Sequence, residues 1–414
     1  MNYLKRSGNK YFVSWKVELS TYILGAIFIL LLLYSYFVYI LPVQIGSDLT
    51  GAFDAYSYAN ALQYTDDYVL DTQRFLFLYP QKIVAYINPH LIAIIIHGLA
   101  ILPSYIWLKR HGEEKILRIL LFASAFPESL LFLSSVNKEG IGICVLWSSI
   151  VAICAYRNKR FDFFLYFALS IILAEISRPM YGIAVGCILF AAIIPQIRSG
   201  LRHALLMLMM IGACLLFWAI TFGPLNPILS EKFNAARAFV EWYNYIMPSP
   251  GSGIKAHILN LLYDKIISSE FSPSLILLAI IFIIFKALVY AFAIPTTFPY
   301  GASLASQTWT ITLMISMTLT TLLLISAWIS GRKQKVVGDV RYESIKLFSI
   351  LFMLLIACST IVFHFRYRVP AELSLIVWLL YKKSDSMRLK LFNKILVLSF
   401  ATPISGFLIA MAHL

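Results

Sequence analysis

Apolar residues along this chain fall in long unbroken runs, not in one-sided stripes. The runs occupy roughly 20–42, 89–108, 116–134, 140–156, 163–179, 180–197, 203–222, 273–295, 309–329, 346–364, 369–381 and 391–412. At about 1.5 Å per helical residue, most are long enough to cross a hydrocarbon layer about 30 Å thick. A segment apolar on every side must meet lipid or protein all round. The pattern therefore predicts an all-α fold, a polytopic transmembrane helical bundle forming one integral membrane domain over 1–414. No period of 20 to 50 residues marks a repeat. The first run, Tyr22 to Pro42, is too long for a cleaved signal sequence and lacks a cleavage site, so it reads as the first span.

Composition agrees with this reading. Hydrophobic residues make up 60% of the chain and charged residues 13%, about half the charged fraction of a soluble domain. The net charge of +14 would suit a nucleic-acid partner, but the placement of the basic residues argues against one. They concentrate in short stretches between runs: Lys5–Lys16, Lys109–Arg118, Arg157–Arg160, Arg198–Arg202, Arg332–Lys346 and Lys382–Lys394. This is the positive-inside signature, which puts the N-terminus in the cytoplasm. Successive clusters require even numbers of crossings between them. The count fails only between Arg202 and Arg332, where three runs lie. Either the run containing Lys286 is broken or re-entrant, or 256–271 adds a crossing, which gives about 11 to 13 spans. Two longer segments, 43–88 and 223–272, emerge on the outer side. The cysteines, Cys144, Cys154, Cys187, Cys214 and Cys358, all sit within apolar runs with no metal spacing, and read as small core residues.

With that topology most ionisable residues near the spans collect on the outer face. Such groups are costly in a membrane unless they pair or face water, so each invites a functional question. Asp48 in IGSD and Asp54 in FDAYSYANAL follow the first span, and Asp54, Tyr58 and Ala61 share one face of a short helix. In FPESLLFLSSVNKEG, Glu128 lies inside an apolar run while Lys138 and Glu139 mark its exit. Glu175 precedes the SRPMYG hairpin and Arg178 lies within it, before Pro179. HFRYRVPAE brings His364, Arg366, Arg368 and Glu372 to the outer side against the positive-inside trend. Carboxylates there can act as a base, and guanidinium groups suit phosphate oxygens. Each has a plainer alternative as a helix cap, a neutralised pair or a snorkelling cation. The histidines are scattered and suggest no metal site, although Asp54, Asp66 and Asp67 could hold Mg²⁺ or Mn²⁺. The aromatics of 223–250 read as interface anchors.

Taken in order, DAYSYANAL after the first span, the Pro-led run ending in NKEG, the SRP-aromatic hairpin, the FPYG loop and the late RYRVP resemble bacterial membrane glycosyltransferases of the C-type superfamily. The size and outer loops are also similar to those of O-antigen polymerases. The resemblance implies an enzyme of the bacterial inner membrane whose active face is periplasmic. Its donor would be a polyprenyl (di)phosphate-linked sugar and its acceptor a glycan or lipid. Asp54, with Asp48 second, would be the catalytic base; Lys138, Arg178, Arg366 and Arg368 would hold the lipid phosphate; Glu128, Glu139, Tyr58 and His364 would support them. The rival expectation is a flippase or transporter for a lipid-linked oligosaccharide. It would need repeats or polar groups at mid-depth, and the sequence places few there, Lys286 being the main one.

Overall fold

The structure is a computed structural model that describes residues 20–46, 88–135, 137–158, 160–177, 181–193, 304–331, 339–359, 368–383 and 385–412. Within them every regular element is helical. Helix α1, Ser20–Ile45, contains a wider π-helical turn at Ser35–Ile40. It is followed by α2 (Pro89–Arg110), α3 (Glu114–Ser124), α4 (Pro127–Leu133), α5 (Lys138–Arg157), α6 (Asp162–Ser177) and α7 (Tyr181–Ile193). The later part comprises α8 (Leu304–Gly331), α9 (Val340–Ser359), α10 (Val369–Lys382) and α11 (Asp385–Ala412). Of these, α1, α2, α5, α8 and α11 are long and apolar enough to cross a membrane, and α3 with α4 makes a sixth if counted as one broken span. The expected 11 to 13 spans depend also on 203–222 and 273–295, which lie outside the described residues, as do 47–87 of the first long outer segment and all of the second.

Burial sorts the helices into a centre and a rim. The most apolar stretch of α5 is 94% buried, against 39% for α1 and α11. A helix apolar all round can serve in either place, so packing decides between them. Close approach to α5 needs glycine at two positions. A Cβ on Gly142 would stand 2.5 Å from Pro370 Cγ, and one on Gly140 would stand 2.5 Å from His97 Cε1. NKEGIG is therefore also a packing motif, which seats α10 and α2 on the start of α5. Cys144 and Cys154 are buried as expected, but Cys187 is exposed on α7, a position suited to lipid contact.

One expected crossing is not a single helix. The run 116–134 breaks between α3 and α4, whose axes differ by 78°. Pro127 causes the break. It has no N–H to continue the ladder, and it holds the preceding Phe126 in extended backbone at φ −62°, ψ 143°.

Helix ends rich in charge gather at one end of the bundle. Arg341 makes a two-pronged ion pair with Glu113, one arm being Nη2 to Oε1 at 3.0 Å. Asn158 donates to the same carboxylate at 3.1 Å. Asp339 accepts from Arg157 at 3.1 Å and from the Tyr381 hydroxyl at 2.9 Å, while Lys115 lies 3.8 Å above the Tyr381 ring. Trp107 Nε1 donates to Asp162 at 2.9 Å. This clamp ties together the adjoining ends of α2, α3, α5, α6, α9 and α10. It is built from the basic clusters that the sequence assigned to a common side.

Candidate functional site

Helix lengths measured from the clamp place the most unusual polar group. Helix α3 rises from it for 11 residues, about 16 Å, and α10 returns to it over 14 residues, about 21 Å. Glu128 stands in the first turn of α4, just beyond α3. Arg368 and Glu372 stand at the start of α10. All three are 0% exposed and lie about 16 to 21 Å from the clamp, roughly half to two-thirds of the thickness of a 30 Å hydrocarbon layer. The sequence had placed them at the outer ends of spans, and the break at Pro127 and the shortness of α10 move them inward.

Their geometry is specific. Arg368 Nε lies 2.8 Å from Glu372 Oε2. Its Nη2 donates to Thr321 Oγ1 at 2.7 Å and points to the Met317 carbonyl at 3.4 Å. Thr321 in turn donates to Glu372 Oε1 at 3.4 Å. The Glu128 carboxyl adjoins Arg368 and hydrogen-bonds with the Glu372 carboxyl and Thr320. Two carboxyls therefore share one guanidinium in the bundle interior. Burying charge this way is unfavourable unless it is matched, so the group is a candidate for function.

Nearer the opposite end, a small cleft of about 20 Å³ lies between α5, α6, α7, α9 and α10, with Lys138, Glu139, Ser177, Tyr181, Phe352 and Pro370 in its wall. Lys138 begins the 20-residue α5, about 30 Å from the clamp that holds its other end. The cleft thus joins parts of three expected outer turns: NKEG directly, SRPMYG through Ser177 and Tyr181, and RYRVP through Pro370. Glu175 serves locally, accepting from the Gly182 backbone N–H at 3.1 Å and so capping α7. Tyr39 fixes the neighbouring wall. It donates to the Leu131 carbonyl at 2.9 Å, accepts from Trp309 at 3.2 Å and stacks on His90 at 4.5 Å.

Of the expected site residues, Lys138 and Glu139 reach the cleft, with Glu139 itself buried. Arg368 does not reach the outer mouth, because its guanidinium is engaged inside by Glu372 and Thr321. Glu128 lies beside it. Asp48, Asp54, Tyr58, Arg178, His364 and Arg366 lie outside the described residues, as do Asp66 and Asp67, which with Asp54 were the acids able to hold Mg²⁺ or Mn²⁺. What sequence reasoning missed is the contribution of α8. Thr308, Thr312, Ser316 and Thr320 recur every fourth residue on one face, and all are buried. That spacing was legible in TWTITLMISMTLTT. No family model, no curated protein and no solved structure matches this chain.

Proposed function

We propose that this protein is a bacterial inner-membrane glycosyltransferase that uses a polyprenyl (di)phosphate-linked sugar donor at the face opposite the clamp, in assembly of a surface polysaccharide or glycolipid. The observation that carries this reading is the cleft, where a cation and a carboxyl from NKEG meet elements of two other polar turns beside an apolar wall. A lipid-linked donor has the matching chemistry, an anionic head on an apolar tail. Negative charge grows on the leaving phosphate as the sugar C1–O bond breaks. Lys138, joined by Arg178 and Arg366 from the neighbouring turns, would stabilise it, each fixed donor contributing about 3 kcal/mol. Asp54 would take the proton of the acceptor hydroxyl, with Asp48 as the alternative base. Arg368 acts through the interior and is not assigned to the phosphate.

The test is transfer from a radiolabelled polyprenyl-linked donor in vesicles of defined orientation. Lys138→Ala and Asp54→Asn are each expected to lower turnover by about a hundredfold or more while the proteins insert normally. Turnover near wild type in both refutes the reading. A second reading, a flippase or transporter of a lipid-linked oligosaccharide, is favoured by one observation, the charged group at mid-depth. Movement of a fluorescent lipid-linked sugar across the vesicle wall with no change in glycan length would select it.

A further inference from the structure

The carboxylates around one side of the clamp are already engaged. Glu113 pairs with Arg341, Asp339 with Arg157 and Glu114 with Arg118, and Asp162 accepts from Trp107. Three cations at the same end stand outside these pairs. Lys109 and Arg110 close α2, and Arg160 precedes α6; all three are exposed, and among the described residues none meets a carboxylate within ion-pair distance. The Trp107–Asp162 hydrogen bond, 2.9 Å long, joins the two segments that carry them. Arg110 comes from α2 yet lies within electrostatic reach of Tyr166 on α6. Guanidinium groups from two helices therefore flank one bond, and such groups suit phosphate oxygens.

A second, independent feature adjoins them. On α2, Leu99, Leu102 and Ile106 form an exposed stripe that runs down to Lys109 and Arg110 in three- and four-residue steps. On α6, Phe161, Phe164 and Leu165 are 85%, 61% and 63% exposed, so a second stripe begins directly after Arg160. The helices are bridged by the Tyr166 hydroxyl, which donates to the Pro103 carbonyl at 2.8 Å, and by the edge-on rings of Trp107 and Tyr166, 6.0 Å apart. Two apolar stripes thus converge on one set of cations. A phenyl ring as open as Phe161 is unfavourable in water and favourable among acyl chains, which sets the level where headgroup gives way to hydrocarbon.

We propose that the α2–α6 face at the clamp end binds one anionic phospholipid, with its phosphate on Arg110, Arg160 and Lys109 and its acyl chains along the stripes of α2 and α6. The charges are complementary: three cations and the single engaged carboxylate of Asp162 leave an excess that a phosphodiester anion neutralises. A zwitterionic lipid could cover the same apolar face, but its own ammonium group would meet like charge. The site lies at the end away from the cleft and does not rest on the glycosyl-transfer reading, so either can fail alone.

The test is native mass spectrometry of the full chain in detergent, titrated with phosphatidylglycerol or with phosphatidylcholine of the same acyl chains. Each cation near the surface favours the anionic lipid by about fivefold, so phosphatidylglycerol is expected to bind at least about twentyfold more tightly. Arg110→Gln with Arg160→Gln is expected to lower that preference to about fivefold or less. Lys390→Gln with Lys394→Gln, which removes two exposed cations of α11, should leave it within about twofold; all four residues are exposed, so both variants keep the fold. Phe161→Ser should weaken both lipids about tenfold with the preference retained. A wild-type preference under about fivefold, or an unchanged preference in the arginine variant, overturns the proposal. So does an equal loss in the α11 variant, which would make the effect a property of the whole basic surface. A lipid-free dimer would show that a second copy covers the face, and displacement of phosphatidylglycerol by excess glycerol phosphate would show that a soluble anion suffices; either result also overturns it.

Discussion

Replacing Arg368 by Met tests the inward placement of that residue most directly. The substitution keeps most of the side-chain volume but removes the guanidinium that the described residues place beside two carboxyls that are both 0% exposed. It also leaves Thr321 Oγ1 and the Met317 carbonyl without the donor that reaches them at 2.7 and 3.4 Å. Breaking one side of a buried ion pair costs about 3–5 kcal/mol. At roughly 2–4 °C per kcal/mol this lowers Tm by about 10 °C. Cys144 and Cys154 are buried, so in a background with Cys187, Cys214 and Cys358 replaced by Ala a maleimide dye that fluoresces on thiol reaction reads unfolding directly. The loss should be one of charge, not of packing. Adding Glu128→Gln and Glu372→Gln to Arg368→Met removes every charge from the group, and the triple variant is expected to recover at least about 2 kcal/mol of the deficit. A triple variant no better than the single one would assign the loss to packing. If Arg368→Met alone kept wild-type Tm, the guanidinium would have to lie at the outer mouth, and the reasoning for the mid-depth group would fall.

Three smaller tests follow from the packing and the clamp. Gly142→Ala is expected to cost about 1–3 kcal/mol, because its Cβ would meet Pro370 at 2.5 Å, whereas Gly25→Ala, with nothing within 4 Å, should change Tm by less than about 2 °C. Glu113→Gln should cost about 1–3 kcal/mol, since Glu113 and Arg341 are only 13% and 14% exposed, and exchanging the two residues should restore part of the loss. Burial alone would raise the Asp339 carboxyl, but hydrogen bonds from Tyr381, the Tyr342 and Arg341 backbone and Arg157 outweigh it and hold the group below the usual aspartate range. Its contribution is therefore present above pH about 4 and lost as pH falls below that value. Asp339→Asn should be less stable than wild type at pH 7 and show a smaller further loss on acidification.

Helices of sufficient length were legible because an apolar run in a membrane chain has few alternatives to a helix. The clamp was legible in outline. The clusters at Lys109–Arg118, Arg157–Arg160, Arg332–Lys346 and Lys382–Lys394 all contribute to one end, as the positive-inside reading requires, although the pairing of Arg341 with Glu113 across the bundle had no local signature. Lys138 and Glu139 were found because they open a helix whose other end is basic, so their side of the bundle follows from chain direction alone. The glycines of NKEGIG and the hydroxyls of α8 were passed over for a shared reason. Each looks like a tolerated small residue until a partner helix is known, and the partners Pro370, His97 and Gly406 come from distant parts of the chain.

Depth was the property most easily misjudged, and the reason is physical. A charge beside an apolar run is ordinarily at the interface, because leaving it deeper is expensive. That rule put Glu128, Arg368 and Glu372 outside. Yet the run 369–381 holds 13 residues, about 20 Å as a helix, and its far end is basic. A helix tied to one face by Tyr381 and Lys382 cannot reach the other over that length, so its own first residues lie short of the opposite face. Pro127 gives the same result for the run 116–134, since a proline with an extended residue before it ends one helix at mid-depth and starts another. Two short or interrupted runs, each with an ionisable residue at the inward end, imply a meeting of charges in the interior. The opposite signs of Arg368 and Glu372, and the threonines that reach them from α8, show how the bundle accommodates it.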